Sequence, residues 1–122
     1  MRLLVLTAIA VVLCGCNDIF VDATVHFSLT NNSTYKVRMY IEGQTGSVFN
    51  TVKPGNTRNF SKTIKFGAMS GGPVPYVYTK NLGIYVEQDG VILASQRLEF
   101  SSTFPIVSGV YDGTYLTVSA TQ

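Results

Sequence analysis

The chain has 122 residues, of which nine are Lys or Arg and seven are Asp or Glu, and its formal net charge is +2. The charges are sparse and mixed in sign, whereas nucleic-acid binders usually carry a concentrated basic surface, so the composition argues against a nucleic-acid partner. Seven Tyr, seven Phe and no Trp, with a polar surface supplied largely by Thr, Ser and Asn, are typical of β proteins.

The first sixteen residues, MRLLVLTAIAVVLCGC, have the pattern of a secretory signal. Arg2 supplies the positive charge, and the apolar run over residues 3–13 is too short to span a hydrocarbon core of about 30 Å. The order Leu13-Cys14-Gly15-Cys16 resembles the lipobox of bacterial lipoproteins, in which the signal is cut immediately before a cysteine that receives lipid. An ordinary cleaved signal peptide with an incidental cysteine is the alternative.

The resemblance implies that residues 1–15 are a signal peptide and that Cys16 carries acyl chains such as palmitate, which attach the mature chain to a bacterial cell envelope. Each buried methylene contributes about 0.8 kcal/mol, so two or three chains make the attachment nearly permanent. Residues 16–22 would then be a short tether. Residues 23–122 would be a single domain, large enough to bury a core without a metal or a disulfide.

The residues around the anchor bear on location and on redox chemistry. Both cysteines lie in the signal region, so no internal disulfide is expected after cleavage. Asn17 resembles the sorting pattern of outer-membrane lipoproteins, although Asp18 one place later can favour the inner membrane. An outer-membrane location is therefore favoured if the organism has two membranes.

From Ala23 onward the hydrophobic pattern has a period of two, which predicts strands, and no stretch has convincing helical spacing. Residues 23–29 and 35–41 alternate most clearly, and we predict that they pair as a hairpin or face each other across a sandwich. Residues 30–34 between them are short and polar, as in turns whose side chains bond to the local backbone. Further strands are predicted at 48–52, 57–66, 74–79, 82–86, 91–100, 106–111 and 114–120.

Turn and edge signals separate these strands. Asp89-Gly90 and Asp112-Gly113 each lie between apolar runs and predict two hairpins, because both residues of such a pair accept a positive φ. Lys62 interrupts the alternation of strand 57–66, which indicates an edge strand guarded against aggregation. The segment Gly67–Pro73 is predicted to be the most flexible loop.

The expected fold is all-β, an antiparallel β-sandwich of about seven to nine short strands, with a small barrel as the alternative. Within residues 25–66, the pattern NNST-Y-x-V-x-M-x-I followed by V-x-P-G-N-T-x-x-F resembles immunoglobulin-like or transthyretin-like bacterial domains. That resemblance concerns a widespread fold, so it implies nothing about activity.

Candidate catalytic and ligand-binding residues are few. His26 is the one histidine, and it lies on the polar face of a predicted strand with no carboxylate near it in the sequence. Zinc needs three or four ligands, typically Cys and His, and calcium needs a cluster of carboxylates, neither of which the mature sequence offers. Gly71-Gly72-Pro73 lacks the Lys, the Ser or Thr and the helix of a phosphate loop. We therefore expect no enzyme activity, no cofactor and no metal.

The candidate partner-binding residues are mostly aromatic. Tyr76 and Tyr78 project from one face of a predicted strand, Met69 lies nearby in the flexible loop, and Phe104 lies in another loop. Tyrosine combines a large contact area with a polar tip, which interfaces favour. Cross-strand aromatic packing is the alternative explanation.

These features favour a non-enzymatic interaction or assembly module that is anchored in the envelope by lipid and holds another envelope component. Small accessory lipoproteins of secretion machines, including those of type VI secretion and pilotin-like types, resemble it in length, anchor and fold class. The alternative is a surface or periplasmic ligand-binding, inhibitor or exclusion lipoprotein that uses the loop Gly67–Pro73 and the nearby tyrosines.

Overall fold

The computed structural model describes residues 20–68 and 78–122. The predicted signal peptide, the lipidation site Cys16 and the candidate binding residues Met69 and Tyr76 lie outside these ranges. No helix of the described part is long and apolar enough to cross a membrane. The described residues form a 3-10 turn (Val48–Asn50) and eight strands: β1 (Phe20–Asn31), β2 (Val37–Ile41), β3 (Thr51–Val52), β4 (Thr57–Ala68), β5 (Tyr78–Gln88), β6 (Val91–Ser101), β7 (Ile106–Tyr111) and β8 (Leu116–Thr121).

Backbone pairing joins the eight strands into one open sheet that folds over into two layers. The first layer has the strand order β4-β1-β7-β8 and the second has the order β3-β2-β5-β6. The layers are continuous at one corner, where Gly67 and Ala68 of β4 pair with Thr79 and Tyr78 of β5. The all-β sandwich prediction is confirmed, and the alternative of a small barrel is wrong, because β3 and β8 end the pairing path of the described residues without pairing with each other.

The core lies between the two layers because each central strand buries alternate side chains. In β1 the buried face carries Val25, Phe27 and Leu29, while the residues between them face outward. The rings of Phe66 from β4 and Phe100 from β6 meet edge to face, with 5.4 Å between their centroids, and so link the layers. The buried apolar residues form one cluster: Val25, Phe27, Leu29, Val37, Met39, Ile41, Val52, Ile64, Phe66, Leu82, Ile84, Val86, Phe100, Val107, Tyr111 and Leu116.

Two features of the strand pairing differ from the prediction. β1 pairs with β7 in parallel, with Leu29 beside Gly109, so the sheet is mixed rather than wholly antiparallel. In addition, β1, β4, β5 and β6 each have 11 or 12 residues and are longer than the short strands expected. β1 and β2 lie in different layers, the second of the two predicted arrangements, and this leaves one edge of β1 for β7.

Several predicted boundaries also change; for example, β2 and β8 each begin two residues later than predicted. Of the predicted strand 48–52, only Thr51–Val52 pairs with β2, and the first three residues form the 3-10 turn. The described parts of the predicted strands 74–79 and 82–86 belong to the single strand β5. β1 begins at Phe20, so the last three residues of the predicted tether are strand.

The edge prediction and the prediction of a hairpin at Asp89-Gly90 agree with the structure. β7 and β8 also form a hairpin, but its turn has four residues, 112–115, and of the predicted pair Asp112-Gly113 only the glycine has a positive φ. Over residues 57–66, β4 pairs with β1, and its pairing with β5 is confined to the corner, so most of its other edge lacks a strand partner in the described residues. Lys62 lies there, opposite Val25, and is exposed. Asp89 and Gly90 both have a positive φ, 52° and 80°, in the turn between β5 and β6.

The strand register defines two ends of the molecule. Phe20, Gly67, Thr79 and Ser101 are successive partners in one row across β1, β4, β5 and β6, and we call this end the proximal end. At the other end of β1, the backbone of Asn31 bonds to the turn after β3 and the neighbouring residue bonds to β7. This distal end also carries the start of β2 and the β5–β6 turn.

Candidate functional site

A cleft of about 440 Å³ opens at the distal end of the sandwich. One side is formed by the start of β2 and the segment around β3, and the other by the end of β5 with its turn. We call it the distal cleft. Its lining residues are Lys36, Val37, Arg38, Val48, Thr51, Glu87, Gln88 and Asp89.

The segment between β2 and β3 folds back toward the outer face of the second layer and shapes this cleft. Arg38 donates a hydrogen bond to the carbonyl of Gly46, and the buried Asn50 donates one to the carbonyl of Thr45. The carboxylate of Glu87 lies directly against Gly46, where a side-chain β-carbon would come within 2.7 Å of Glu87 Cδ. Glycine at this position therefore leaves room for the Glu87 carboxylate.

Tyr40 fixes the position of the acidic side of the cleft. It lies on the outward-facing side of β2, yet only 8% of its surface is exposed, and its ring packs against Tyr85. Its hydroxyl donates a 2.6 Å hydrogen bond to Oε1 of Glu87. Burial, followed by the hydrogen bond to the Glu87 carboxylate and its negative charge, raises the pKa of Tyr40 to about 12. The phenol therefore stays protonated at neutral pH and holds the carboxylate at the cleft wall.

The distal cleft presents both signs of charge. Lys36 and Arg38 come from the β2 side, while Glu87 and Asp89 come from the β5 side. Pockets for drug-sized molecules are lined predominantly by apolar side chains, which is not the character of this lining. The arrangement suits a ligand that itself carries polar and charged groups, such as a peptide segment.

Apolar side chains are exposed on both sides of the cleft. Phe49 is 89% exposed and Val48 is 65% exposed, both on the 3-10 turn. At the start of β6, Val91 is 60% exposed and Ile92 is 48% exposed, and Val91 pairs with the cleft residue Gln88. A β-bulge between β5 and β6 displaces the register next to this stretch. We call Val48, Phe49, Val91 and Ile92 the distal rim.

The predicted binding residues belong to the other end of the molecule where the structure describes them. Tyr78 is the first residue of β5, and its backbone pairs with Ala68. Phe104 is 42% exposed in the loop that follows Ser101. Met69 and Tyr76 lie outside the described residues, so that predicted surface stays a prediction. Nothing in the described residues brings Tyr78 or Phe104 to the distal cleft.

His26 has one side-chain hydrogen-bond partner in the described residues. Its Nδ1 lies 2.7 Å from Oγ of Ser61 on the exposed outer face of the first layer. Neighbouring pairs on that face are also polar, with Ser28 bonded to Asn59 at 2.6 Å. A catalytic base needs a third group that orients it and a concave site around it, whereas His26 lies on an exposed face with Ser61 as its one side-chain partner in the described residues. In residues 20–68 and 78–122, moreover, no three His, Cys, Asp or Glu side chains are placed to hold a metal ion.

Sequence reasoning missed the distal cleft and rim. The order Val48-Phe49-Asn50-Thr51-Val52 contains three apolar residues, which suggested a strand rather than an exposed turn. The buried Asn50 anchors that turn, and a lone asparagine gives no sign of burial in the sequence. Lys36 and Arg38 alternate with apolar residues and so can be seen to share one face of a strand. Their acidic neighbours in the cleft, however, are about fifty residues away along the chain, so the sequence does not show that they meet.

Comparison of the chain with family models, with curated proteins and with solved structures finds no significant match in any of the three.

Proposed function

We propose that this chain is a lipid-anchored protein of a bacterial cell envelope and that it acts, without catalysis, as a docking module for a protein component of the same envelope. The distal cleft and the distal rim form the docking surface. The observation that carries this proposal is the exposure of Phe49 beside a cleft that contains charges of both signs.

A docking role fits the chemistry of this surface. Protein interfaces concentrate their binding energy in a few aromatic and other large side chains that become buried, surrounded by polar contacts that exclude water. Phe49 would supply such a central contact. Lys36, Arg38, Glu87 and Asp89 would supply charged groups that discriminate between partners more than they add affinity.

The anchor is the second part of the proposal. The order Leu13-Cys14-Gly15-Cys16 supports lipid attachment at Cys16, and the outer membrane is the favoured site in an organism with two membranes. The test is to express the full chain and its Cys16→Ser variant and to compare their masses and their sedimentation with membranes. We expect acyl chains on Cys16 and release of the variant. A variant that keeps the same added mass and still sediments would refute lipid attachment at this residue.

The docking surface is tested by cross-linking in cells that express the full anchored chain. We expect Phe49→Ser to remove most of the cross-linked product. Tyr115→Ser is the matched control, since Tyr115 is 72% exposed in the β7–β8 turn of the distal end but does not line the cleft.

Phe104→Ser tests the alternative surface at the proximal end. Loss of the product in Phe104→Ser, with full retention in Phe49→Ser, would place docking on the predicted aromatic surface and refute the distal site.

A further inference from the structure

We propose that the proximal end of the sandwich rests on the bilayer that carries the anchor, with Phe20 inserted among the lipid head groups. This inference rests on the lipidation of Cys16 proposed above and adds a second contact with the membrane. Its occupant is the lipid surface itself, and its consequence is a fixed orientation of the domain.

The length of chain between the anchor and the first strand limits the position of Phe20. Only three residues separate Cys16 from Phe20. A fully extended chain reaches about 3.3–3.6 Å per residue, so the two α-carbons lie within roughly 14 Å of each other. Acyl chains on Cys16 place that residue at the boundary between head groups and hydrocarbon. Phe20 therefore cannot be far above the head groups.

The side chains at the start of β1 suit such a boundary. Phe20 is 54% exposed and Val21 is 37% exposed. Successive residues of a strand point to opposite faces, so apolar groups are presented on both sides of the strand end. The ring of Phe20 lies beside Gly67, which has no side chain to cover it.

Charged groups next to Phe20 suit the head-group layer. The ammonium of Lys65 lies 5.7 Å from the centre of the Phe20 ring. Lys65 also contacts Asp22 at 3.7 Å, and both side chains are more than 60% exposed. A lysine can lay its apolar stem along a buried ring while its ammonium stays among phosphates and water. The pair with Asp22 is exposed and therefore weak, so it leaves Lys65 free to turn toward a phosphate.

The absence of Trp from the chain permits a direct test with single-Trp variants. Full-length acylated Phe20→Trp and Phe49→Trp are purified and reconstituted into vesicles of phosphatidylethanolamine with a minor share of phosphatidylglycerol, with and without brominated acyl chains. We expect the emission of Phe20→Trp to move to shorter wavelength and to be quenched by brominated lipid. Phe49→Trp, at the distal end, should show neither change. Circular dichroism checks that both variants keep the β fold.

The outcomes separate this inference from the proposal on which it rests. Acylated protein whose Phe20→Trp emission is unquenched, or in which the two variants are quenched alike, overturns the membrane contact and leaves the anchor intact. Mass spectrometry of the same samples detects the acyl chains. If they are missing from Cys16, both the anchor and the membrane contact are refuted.

Discussion

Loss of the Asn31 side chain should damage the fold strongly. Its side chain is fully buried at the distal end and uses all of its hydrogen-bonding capacity. The amide donates to the carbonyls of Tyr35 at 2.8 Å and Val52 at 2.9 Å. Its oxygen accepts from the backbone N–H of Ser33 at 2.9 Å and from the hydroxyl of Ser33 at 2.6 Å. One side chain thus ties β1 to the turn before β2 and to β3.

The cost of Asn31→Ala follows from these four hydrogen bonds. Each contributes about 0.5–1.5 kcal/mol to the free energy of unfolding, and a buried carbonyl left without a donor costs more. In Asn31→Ala the hydroxyl of Ser33 no longer donates to Asn31 and is free to donate its one proton to the carbonyl of Tyr35, 2.9 Å away, so that carbonyl keeps one partner. We therefore expect a loss of about 2–5 kcal/mol, a large share of the 5–15 kcal/mol typical of a whole domain.

The assay is urea unfolding of the chain without residues 1–16, followed by circular dichroism. Asn32→Ala is the matched control, because the neighbouring side chain is exposed and its backbone bond to Tyr111 does not involve the side chain. Asn31→Asp is the second variant, since it keeps the shape but turns an oxygen toward two carbonyls. If the free energies of unfolding of Asn31→Ala and Asn32→Ala differ by less than about 0.5 kcal/mol, the hydrogen bonds of Asn31 do not contribute the stability expected of them.

Three further predictions concern pH, packing and the distal rim. Burial first, and then a hydrogen bond to Glu87 for Tyr40 and to Tyr35 for Tyr111, raises the pKa of both phenols from 10.0 to about 12. The stability that depends on neutral phenols is therefore complete below pH 10 and is lost as the pH rises toward 12. The urea concentration at the midpoint of unfolding should fall over that range, and it should fall less in Tyr40→Phe. Gly109→Val should cost about 1–3 kcal/mol in the same unfolding measurement, because a β-carbon there would lie 3.1 Å from Cδ2 of Leu29. Phe49→Ser should leave the melting temperature unchanged, since its ring is almost wholly exposed, and a clear drop would mean that Phe49 supports the fold.

Local sequence signals predicted the strands well because the two signals used, the alternation of apolar and polar residues and the residue types in turns, depend only on neighbouring residues. Val25, Phe27 and Leu29 alternate with polar residues, and each is buried as the period of two requires. Asp89-Gly90 predicted a tight turn because few other pairs accept two positive φ angles in succession, and both angles are positive. Lys62 indicated an edge strand because a strand with a partner on one side only tolerates a charge that a central strand excludes.

The partners of the strands were beyond the reach of local signals. Leu29 lies beside Gly109 in a parallel pair, and the two are eighty residues apart in the sequence. Any apolar strand of similar length would satisfy the same local pattern, so the pairing is decided by the packing of the whole core. The distal cleft is hidden for the same reason, since it exists only where Arg38 and Glu87 become register partners.

The length of β1 determines which partners fit the proposed function. At about 3.3 Å per residue, the eleven steps from Phe20 to Asn31 span roughly 36 Å. If Phe20 rests on the bilayer and β1 stands along the membrane normal, the distal cleft lies at about that height, so a partner confined to the membrane cannot reach Phe49, whereas one that projects into the same compartment can. With both the proposed anchor at Cys16 and Phe20 held in the bilayer, the cleft would stay at one height and in one orientation. That restraint would lower the entropy lost on docking and would concentrate the cleft in the layer where such a partner meets it.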